Sequence, residues 1–323
     1  MSVFGAEMGR EMEFTIVFQS ILIITMMIII GAILARTSPL NNETRTLFIN
    51  MIVNVAMPCI ILSSIFHVDM NEDMFRKIVL VFVLSIIINV VGIAMGWIFA
   101  NLFQKGSNRT REIALLSGLG NTGFIGIPLC AALLGPEGAL YAAIFDAGVD
   151  VTIWTVGVVM LQKNRKFALQ TLKSMINIPT AAIVIGLFAA FFNMKPPEII
   201  IGLTDRLAAL AAPLAMFYIG MMIMGLQRGI VRQSVPQTWV PITVKLILLP
   251  IATIFMIHFF NFDAVLIQTV LIQSMMPTIT LASILFARYS ADEQMGALTT
   301  VLSTLLGLIT IPFMVYIMSL FIN

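Results

Sequence analysis

Two carboxylates stand out in a chain that is otherwise poor in charge. Asp146 and Asp150 are four residues apart within an apolar run, so they share one face if that run is a helix. Ionisable groups inside a membrane segment are usually functional, because an unpaired charge is costly there. This pair could therefore take up a proton or bind a sodium ion. The alternatives are a position near the end of the segment and a purely structural hydrogen bond.

A second candidate site is a break in the apolar run that precedes this pair. Residues 117–129 hold four glycines, one proline and the polar residues Ser117, Asn121 and Thr122. Glycine and proline weaken a helix interior, and backbone groups left unpaired in hydrocarbon are costly. The stretch predicts an interrupted membrane helix in which Gly120, Asn121 and Thr122 line a polar site. Asn121 and Thr122 could instead cap the resumed half-helix.

The composition defines the class of protein that must position these residues. The chain has 323 residues, of which 59% are hydrophobic and only 11% charged, and its mean hydropathy is +1.02, which leaves too few polar residues to cover a soluble globule. It predicts an all-α integral membrane protein in a lipid bilayer. The small net charge of +2 gives no nucleic-acid footprint. Cys59 and Cys130 both lie in apolar runs, so we expect no disulfide, no metal site and no cofactor.

Apolar runs of bilayer-spanning length predict about ten helices. Their bounds are Phe14 to Ala35, Leu47 to Phe66, Ile78 to Phe103, Ile113 to Leu134, Ala139 to Leu161, Ile178 to Met194, Leu203 to Leu226, Trp239 to Phe260, Ala264 to Ala287 and Gly296 to Phe321. The fourth is the broken helix, and the fifth carries the two aspartates. The third contains Gly92 and Gly96, a spacing that allows close approach of a neighbouring helix.

The predicted helices form two similar halves. Pro58 and Pro213 lie in the second helix of each half, and a polar break follows them at 62 and 64 residues, at Gly120 and at Pro277 with Thr278. We therefore expect a first repeat at residues 1–161, a basic cytoplasmic linker at 162–177 and a second repeat at 178–323. Because five helices is an odd number, the second repeat must be inverted in the membrane.

Basic residues predict the orientation. Twelve of the 18 Lys and Arg residues fall in the loops after helices 1, 3, 5, 7 and 9, against five on the other side, and Lys245 lies within helix 8. The positive-inside rule then places both termini outside the cytoplasm of a multi-pass cell-membrane protein.

The ordered motifs resemble those of the auxin efflux carrier family, which includes plant auxin exporters and bacterial permeases for small organic acids. Asn121-Thr122 followed by Gly126-Ile127-Pro128-Leu129 is similar to the signature of its helix 4. Further similar patterns follow along almost the whole chain: Asn177 with Pro179, Ile185-Gly186-Leu187, Pro197-Glu198-Ile199-Ile200, Ala215-Met216-Phe217 with Gly220, Val244-Lys245 with Pro250, and Pro277 with Ala287-Arg288-Tyr289.

The resemblance implies ten helices in two inverted repeats, with helices 4 and 9 unwound and crossing at the substrate site. Gly120 stands where the plant carriers have a proline, and the long hydrophilic loop of many plant members is missing. Asp73 and Lys77 resemble a polar support site beside the substrate pocket, although a simple interfacial salt bridge would give the same spacing. Lys245 could tether the crossing or attract an anion, unless it extends to the interface.

These observations predict a secondary carrier, not an enzyme, for a small organic anion such as a carboxylate. Half-helix N-termini at mid-membrane would supply positive dipole ends for the anion. Coupling to H+ or Na+ and simple uniport both remain open, and a homodimer is a candidate assembly. An intramembrane aspartyl protease is an alternative, but its two carboxylates should come from different helices. A transporter-like membrane sensor is another, which a flux assay separates from a carrier.

Overall fold

The computed structural model describes residues 19, 22–23, 25–37, 41–103, 109–162, 177–192, 194, 196–224, 238–258 and 262–321. These residues are helical apart from short connections and one isolated β-bridge. The predicted basic linker, with Lys163, Arg165, Lys166 and Lys173, lies almost entirely outside the described residues, as does the start of the predicted first helix at Phe14.

We number the helical segments in chain order and divide α4 and α9 at their breaks. Their bounds are α1 Thr25–Thr37, α2 42–67, α3 Glu72–Phe103, α4a Thr110–Gly118, α4b 122–134, α5 136–161, α6 Ile178–Phe191, α7 198–224, α8 238–258, α9a Ala264–Ser274, α9b Ala282–Arg288 and α10 Glu293–Phe321.

Six helical stretches among the described residues are long and apolar enough to cross a membrane. They are Thr46–His67, Glu72–Phe103, Thr122–Leu161, Glu198–Met222, Thr238–Ile257 and Glu293–Ile311. Thr25–Thr37, Ile178–Phe191 and Ala264–Ser274 are shorter apolar helices. The predicted class, a helical membrane protein, is therefore confirmed, and the protein is a multi-pass one.

Several helix bounds differ from those predicted, for local reasons. The third and seventh helices begin earlier, at Glu72 and Glu198, because acidic residues are favourable in a first helical turn and need not mark a loop. Between α4b and α5 the chain turns at Gly135, whose φ of 70° suits glycine, and Pro136 follows it.

Prolines also explain why three helices widen. A π-helical turn lies just before each of Pro58, Pro128 and Pro250, at Ile52–Ala56, Thr122–Gly126 and Val244–Leu248. A proline ring crowds the turn that precedes it, and a wider turn relieves that contact. Pro128 therefore shapes α4b from a buried position.

Glycines set the closest helix contacts. Gly92 and Gly96 on α3 face Gly118 and Ala114 of α4a, since a Cβ built on either glycine would lie less than 3 Å from those backbones. The neighbour expected at this small-residue face is thus α4a. In the same way, Gly31 of α1 and Gly220 of α7 bring these two helices into backbone contact. The helix that holds the first break is locked against α3 by this packing.

Candidate functional site

The two chain breaks meet and pair through their backbones. The Asn121 amide donates to the Pro277 carbonyl at 2.7 Å, and the Ile279 amide donates to the Leu119 carbonyl at 3.1 Å. Gly120 and Thr278 consequently form an isolated antiparallel bridge. Backbone groups released by the interrupted helices are therefore satisfied by each other, as a low-dielectric interior requires.

Thr278 joins the second break to its surroundings. It is fully buried, its hydroxyl donates to the Leu116 carbonyl at 3.2 Å, and its amide donates to the Ser303 hydroxyl at 3.0 Å. The Thr300 hydroxyl donates to the next carbonyl, that of Ile279, at 2.9 Å. Thr278 thus holds the crossing together and does not line a described cavity.

Lys245 reaches the first break from α8. Its side chain is 1% exposed, and Nζ donates to the Gly118 carbonyl, the last of α4a, at 3.3 Å. An ammonium is favourable at the C-terminal end of a helix, where the macrodipole is negative. Lys245 is therefore buried beside the crossing, and it neither extends to an interface nor lines a described cavity.

A cavity of about 360 Å³ lies against the first break. Of the predicted residues, the structure brings five together in its wall: Gly120, Asn121, Thr122, Asp146 and Asp150. The rest of the wall comes from α2, the first turns of α6, the end of α5 and the start of α9b. Its volume falls in the range of small-molecule sites, about 300–1,000 Å³.

Asp146 binds the start of the half-helix α4b. The Thr122 hydroxyl donates to its Oδ1 at 2.5 Å, and the carboxylate lies against the backbone of Gly123. A Cβ on Gly123 would lie 2.5 Å from Oδ2, so only glycine lets the carboxylate come this close. The positive end of this half-helix is thus already occupied by a carboxylate of the protein itself.

Asp150 lies one turn along α5 and contacts the start of α6. The Asn177 Nδ2 donates to Asp150 Oδ2 at 3.2 Å, while Asn177 Oδ1 accepts from the Thr180 amide at 2.8 Å. Asn177 therefore caps α6 and binds the carboxylate with the same side chain.

Asn121 connects the two breaks through its side chain as well as its backbone. Its Nδ2 donates to the Thr280 hydroxyl at 2.6 Å, and 7% of Asn121 is exposed. Thr280, which also lines the cavity, places the second break in the same wall.

The remaining predicted residues lie elsewhere. Pro277 lines a separate apolar cavity of about 40 Å³ on the α1, α7 and α10 side. Asp73 and Lys77 form an ion pair of 3.0 Å, and Lys77 also lies 4.0 Å from Asp263, the N-cap of α9a. Neither residue lines the larger cavity. Asp73 and Lys77 thus form a polar contact between helix starts, with Asp73 largely exposed.

The ionisable groups of the larger cavity are acidic. Among its described lining residues, the ionisable side chains are the two aspartates. No cluster of three His, Cys, Asp or Glu side chains that could hold a metal occurs in the described part of the chain.

The geometry defines a class before any comparison: a multi-pass helical membrane protein with a solute-sized cavity at a pair of broken helices. The sequence profile of a family described as "Membrane transport protein" matches residues 16–171. Over these residues the chain is similar to the auxin efflux carrier-like permease family, and the resemblance seen in its motifs is confirmed.

Three relatives agree with that assignment. A protein from Methanothermobacter thermautotrophicus named "Uncharacterized transporter" is 21% identical and covers 91% of this chain and 96% of its own length. A Methanocaldococcus jannaschii protein of like description is 22% identical over 90% and 95%. A Rhizobium meliloti protein named "Putative malonate transporter" is 25% identical over 61% of this chain and 64% of its own.

Sequence reasoning did not assign five polar or aromatic residues to the cavity: Phe124, Trp154, Asn177, Thr180 and Thr280. Asn177 carried a usable signal, because an asparagine just before Ile178-Pro179 is a typical helix start. A partly buried contact was also missed: between α2 and α7 the Ser63 hydroxyl donates to Asp205 at 2.6 Å. Nothing in the spacing of Ser63 and Asp205 indicates that they meet.

Proposed function

We propose that the protein is a secondary carrier that moves a small organic anion, such as a carboxylate, across the cell membrane by alternating access. The observation that carries this proposal is the cavity at the first break, lined by backbone and side-chain polar groups of both interrupted helices. The match of residues 16–171 to a membrane transport family supports the class. The two aspartates lie on one helix, each bound to a neighbouring side chain, which does not suit an aspartyl protease.

The architecture that we propose is two inverted five-helix repeats, residues 1–161 and 178–323, with helices 4 and 9 crossing. The antiparallel pairing of Gly120 with Thr278 supports it, because a two-fold axis in the membrane plane brings equivalent segments together in opposite directions. Unwound backbone at mid-membrane is then paired across the repeats, and one bundle can move against the other without exposing it.

The position of the cavity also supports a proposal for the side of the membrane that it faces. Its wall includes Trp154 near the end of α5, Asn177 at the start of α6 and Ile284 in α9b, all next to loops that the basic-residue count assigns to the cytoplasm. We therefore propose that this conformation faces the cytoplasm, with both termini outside.

The negative charge of an anion in this cavity must be compensated by a cation. In their ionised forms Asp146 and Asp150 supply negative charge, and no Lys, Arg or His side chain is found among the described lining residues. A second anion there would be repelled strongly at low dielectric. Entry together with H+ or Na+ removes that penalty, so the geometry supports coupled transport over uniport.

The substrate class is tested by flux. Purified protein in liposomes is supplied with radiolabelled malonate, suggested by the name of the Rhizobium relative, and with a panel of mono- and dicarboxylates. Each anion is tested with an inward pH gradient, an inward sodium gradient and neither. Saturable uptake of at least one carboxylate is expected, and stimulation by one gradient identifies the coupling ion. Uptake no greater than in protein-free liposomes for the whole panel would refute the anion carrier.

A further inference from the structure

The cavity presents a conflict for any anion that enters it. The groups best placed to receive a carboxylate at the first break are the Thr122 hydroxyl, which already donates to Asp146, and the backbone of Gly123, which the same carboxylate covers. The Asn177 amide group likewise binds Asp150, and the Asn121 amide group binds Thr280. The site is thus filled, in this conformation, by the protein's own acceptors.

Asp146 occupies the position that a substrate carboxylate would take. Its carboxylate lies at the N-terminal end of α4b, a helix of more than three turns, in the wall of the cavity. Glycine at position 123 allows this approach, since any Cβ there would collide with the carboxylate. A substrate carboxylate that bound the same two groups would have to displace it.

Protonation of Asp146 decides whether its own carboxylate or the substrate carboxylate binds at the start of α4b. An ionised carboxylate accepts charge-assisted hydrogen bonds, which are roughly twice as strong as those of a neutral acceptor. A protonated Asp146 is a weaker acceptor and carries a hydrogen that it can itself donate. The proton adds to one carboxylate oxygen and no other bond changes.

Building on the proposed function, we propose that Asp146 is an internal competitor of the transported anion. Its ionised form holds Thr122 and Gly123, and its protonated form releases them to the substrate carboxylate, so that one proton accompanies each anion. Release of the anion on the far side lets Asp146 lose the proton there and bind α4b again. Proton and anion then move in the same direction.

The groups around Asp146 are mostly neutral, so the protonation of Asp146 controls whether it or the substrate binds α4b. Asp150 on the same helix adds negative charge, while α6 contributes the neutral Asn177 and Thr180 and α9b contributes Thr280. The α2 side of the cavity is apolar, with Met57 and Ile61. No cationic side chain lies among the described lining residues, and Lys245, behind Gly120, is bound to the Gly118 carbonyl.

The test measures anion binding as a function of pH. Trp154 lines the cavity and reports binding by its fluorescence once Trp97 and Trp239 are replaced by phenylalanine. Malonate is titrated over a range of about three pH units around neutrality, and its dissociation constant is expressed per dianion. In the parent protein that constant should rise about tenfold per pH unit once Asp146 ionises.

Two matched variants show which aspartate causes the pH dependence of binding. Asp146→Asn resembles the protonated state in shape and charge, so its affinity should stay within about threefold across the range, because the linkage to one proton is lost. Asp150→Asn removes the same charge one turn away and leaves Thr122 and Gly123 bound, so the pH slope should persist. An equal slope in Asp146→Asn, or loss of the slope in Asp150→Asn alone, would overturn the proposal.

Thermal unfolding of each variant checks that it is folded. If Asp146→Asn does not fold, Thr122→Val tests the proposal instead. That variant takes one donor from the ionised carboxylate, so the pH midpoint of malonate binding should move upward; an unchanged midpoint contradicts competition. If neither malonate nor any panel anion binds or is taken up by the parent protein, the anion carrier itself fails. Transport with a persistent slope in Asp146→Asn refutes the competition alone.

Discussion

The two chain breaks share a geometry but differ in chemistry. At the first break an ionisable side chain contacts each helix end, Lys245 at the end of α4a and Asp146 at the start of α4b, and the ionised form of each has the sign that the helix dipole favours. At the second break the partners are neutral hydroxyls of Ser303 and Thr300. The first break also faces the larger cavity, whereas Pro277 faces a small apolar one.

This difference suggests a division of labour between two similar repeats. A break held by neutral hydroxyls and a proline has no titratable group at its helix ends and is suited to be a fixed support. A break held by a carboxylate and an ammonium can respond to protons and to an anion. Mutations at the second break that change substrate binding, or mutations at the first that change only stability, would therefore contradict this difference.

The largest expected effect concerns packing around the first break. Gly118→Ala would place a methyl group 2.6 Å from the backbone nitrogen of Ile93, which cannot move as a side-chain end could. We expect a loss of roughly 3 kcal/mol of stability, at the upper end for overpacking, seen as a lower midpoint of thermal unfolding. Gly307→Ala is the matched control, because its methyl would lie 3.2 Å from Pro277 at the second break. Equal destabilisation by both would show that the breaks are packed alike.

An intermediate effect is expected for the amide that joins the breaks inside the cavity. Asn121→Ala removes the hydrogen bond to Thr280 and a polar group from the wall, so anion binding should weaken by about 1–3 kcal/mol with little change in unfolding temperature. Isothermal titration with the best anion of the panel measures this loss. Thr300→Ala, which removes a hydroxyl from the second break, should lower stability and leave affinity intact. The reverse pattern would move the substrate to the other break.

The smallest effect is expected at the proline of the second break. Pro277→Ala restores an amide and relieves the crowding of the preceding turn, so α9a can extend and stability should rise slightly, by well under the roughly 3 kcal/mol that a proline costs inside a helix. Transport should slow, since the extended helix no longer pairs with Asn121 as it does now. Rates of uptake and unfolding temperatures are compared in the same preparation. Faster transport together with higher stability would argue against a functional break.

How far the sequence predicts this site can be judged from single residues. The break itself was predictable, because glycine, proline and asparagine inside an apolar run have local physical consequences. The approach of Asp146 to Thr122 was not, since it depends on how α5 packs against α4b, 24 residues away. Gly123 carried a signal only in retrospect, as the residue whose missing Cβ makes room for the carboxylate.

Other residues show the same limit. Lys245 was predicted to act near the crossing from a family pattern, and the structure adds that it binds the Gly118 carbonyl. Asp73 and Lys77 do pair as their spacing indicates, but spacing could not tell whether the pair borders the cavity. Local rules give helices, caps and neighbours on one face, while contacts between distant helices require the packed structure.

The central claim is that the substrate binds at the first break, and cysteine protection tests it most directly. In a background with Cys59 and Cys130 replaced by serine, Thr280→Cys lies in the larger cavity and Thr304→Cys in the small apolar one. The rate of alkylation of each thiol is measured with and without the anion that liposomes take up best. The anion should slow the reaction at Thr280→Cys and leave that at Thr304→Cys unchanged. Protection at Thr304→Cys alone, or at neither position in a protein that transports, would contradict the account.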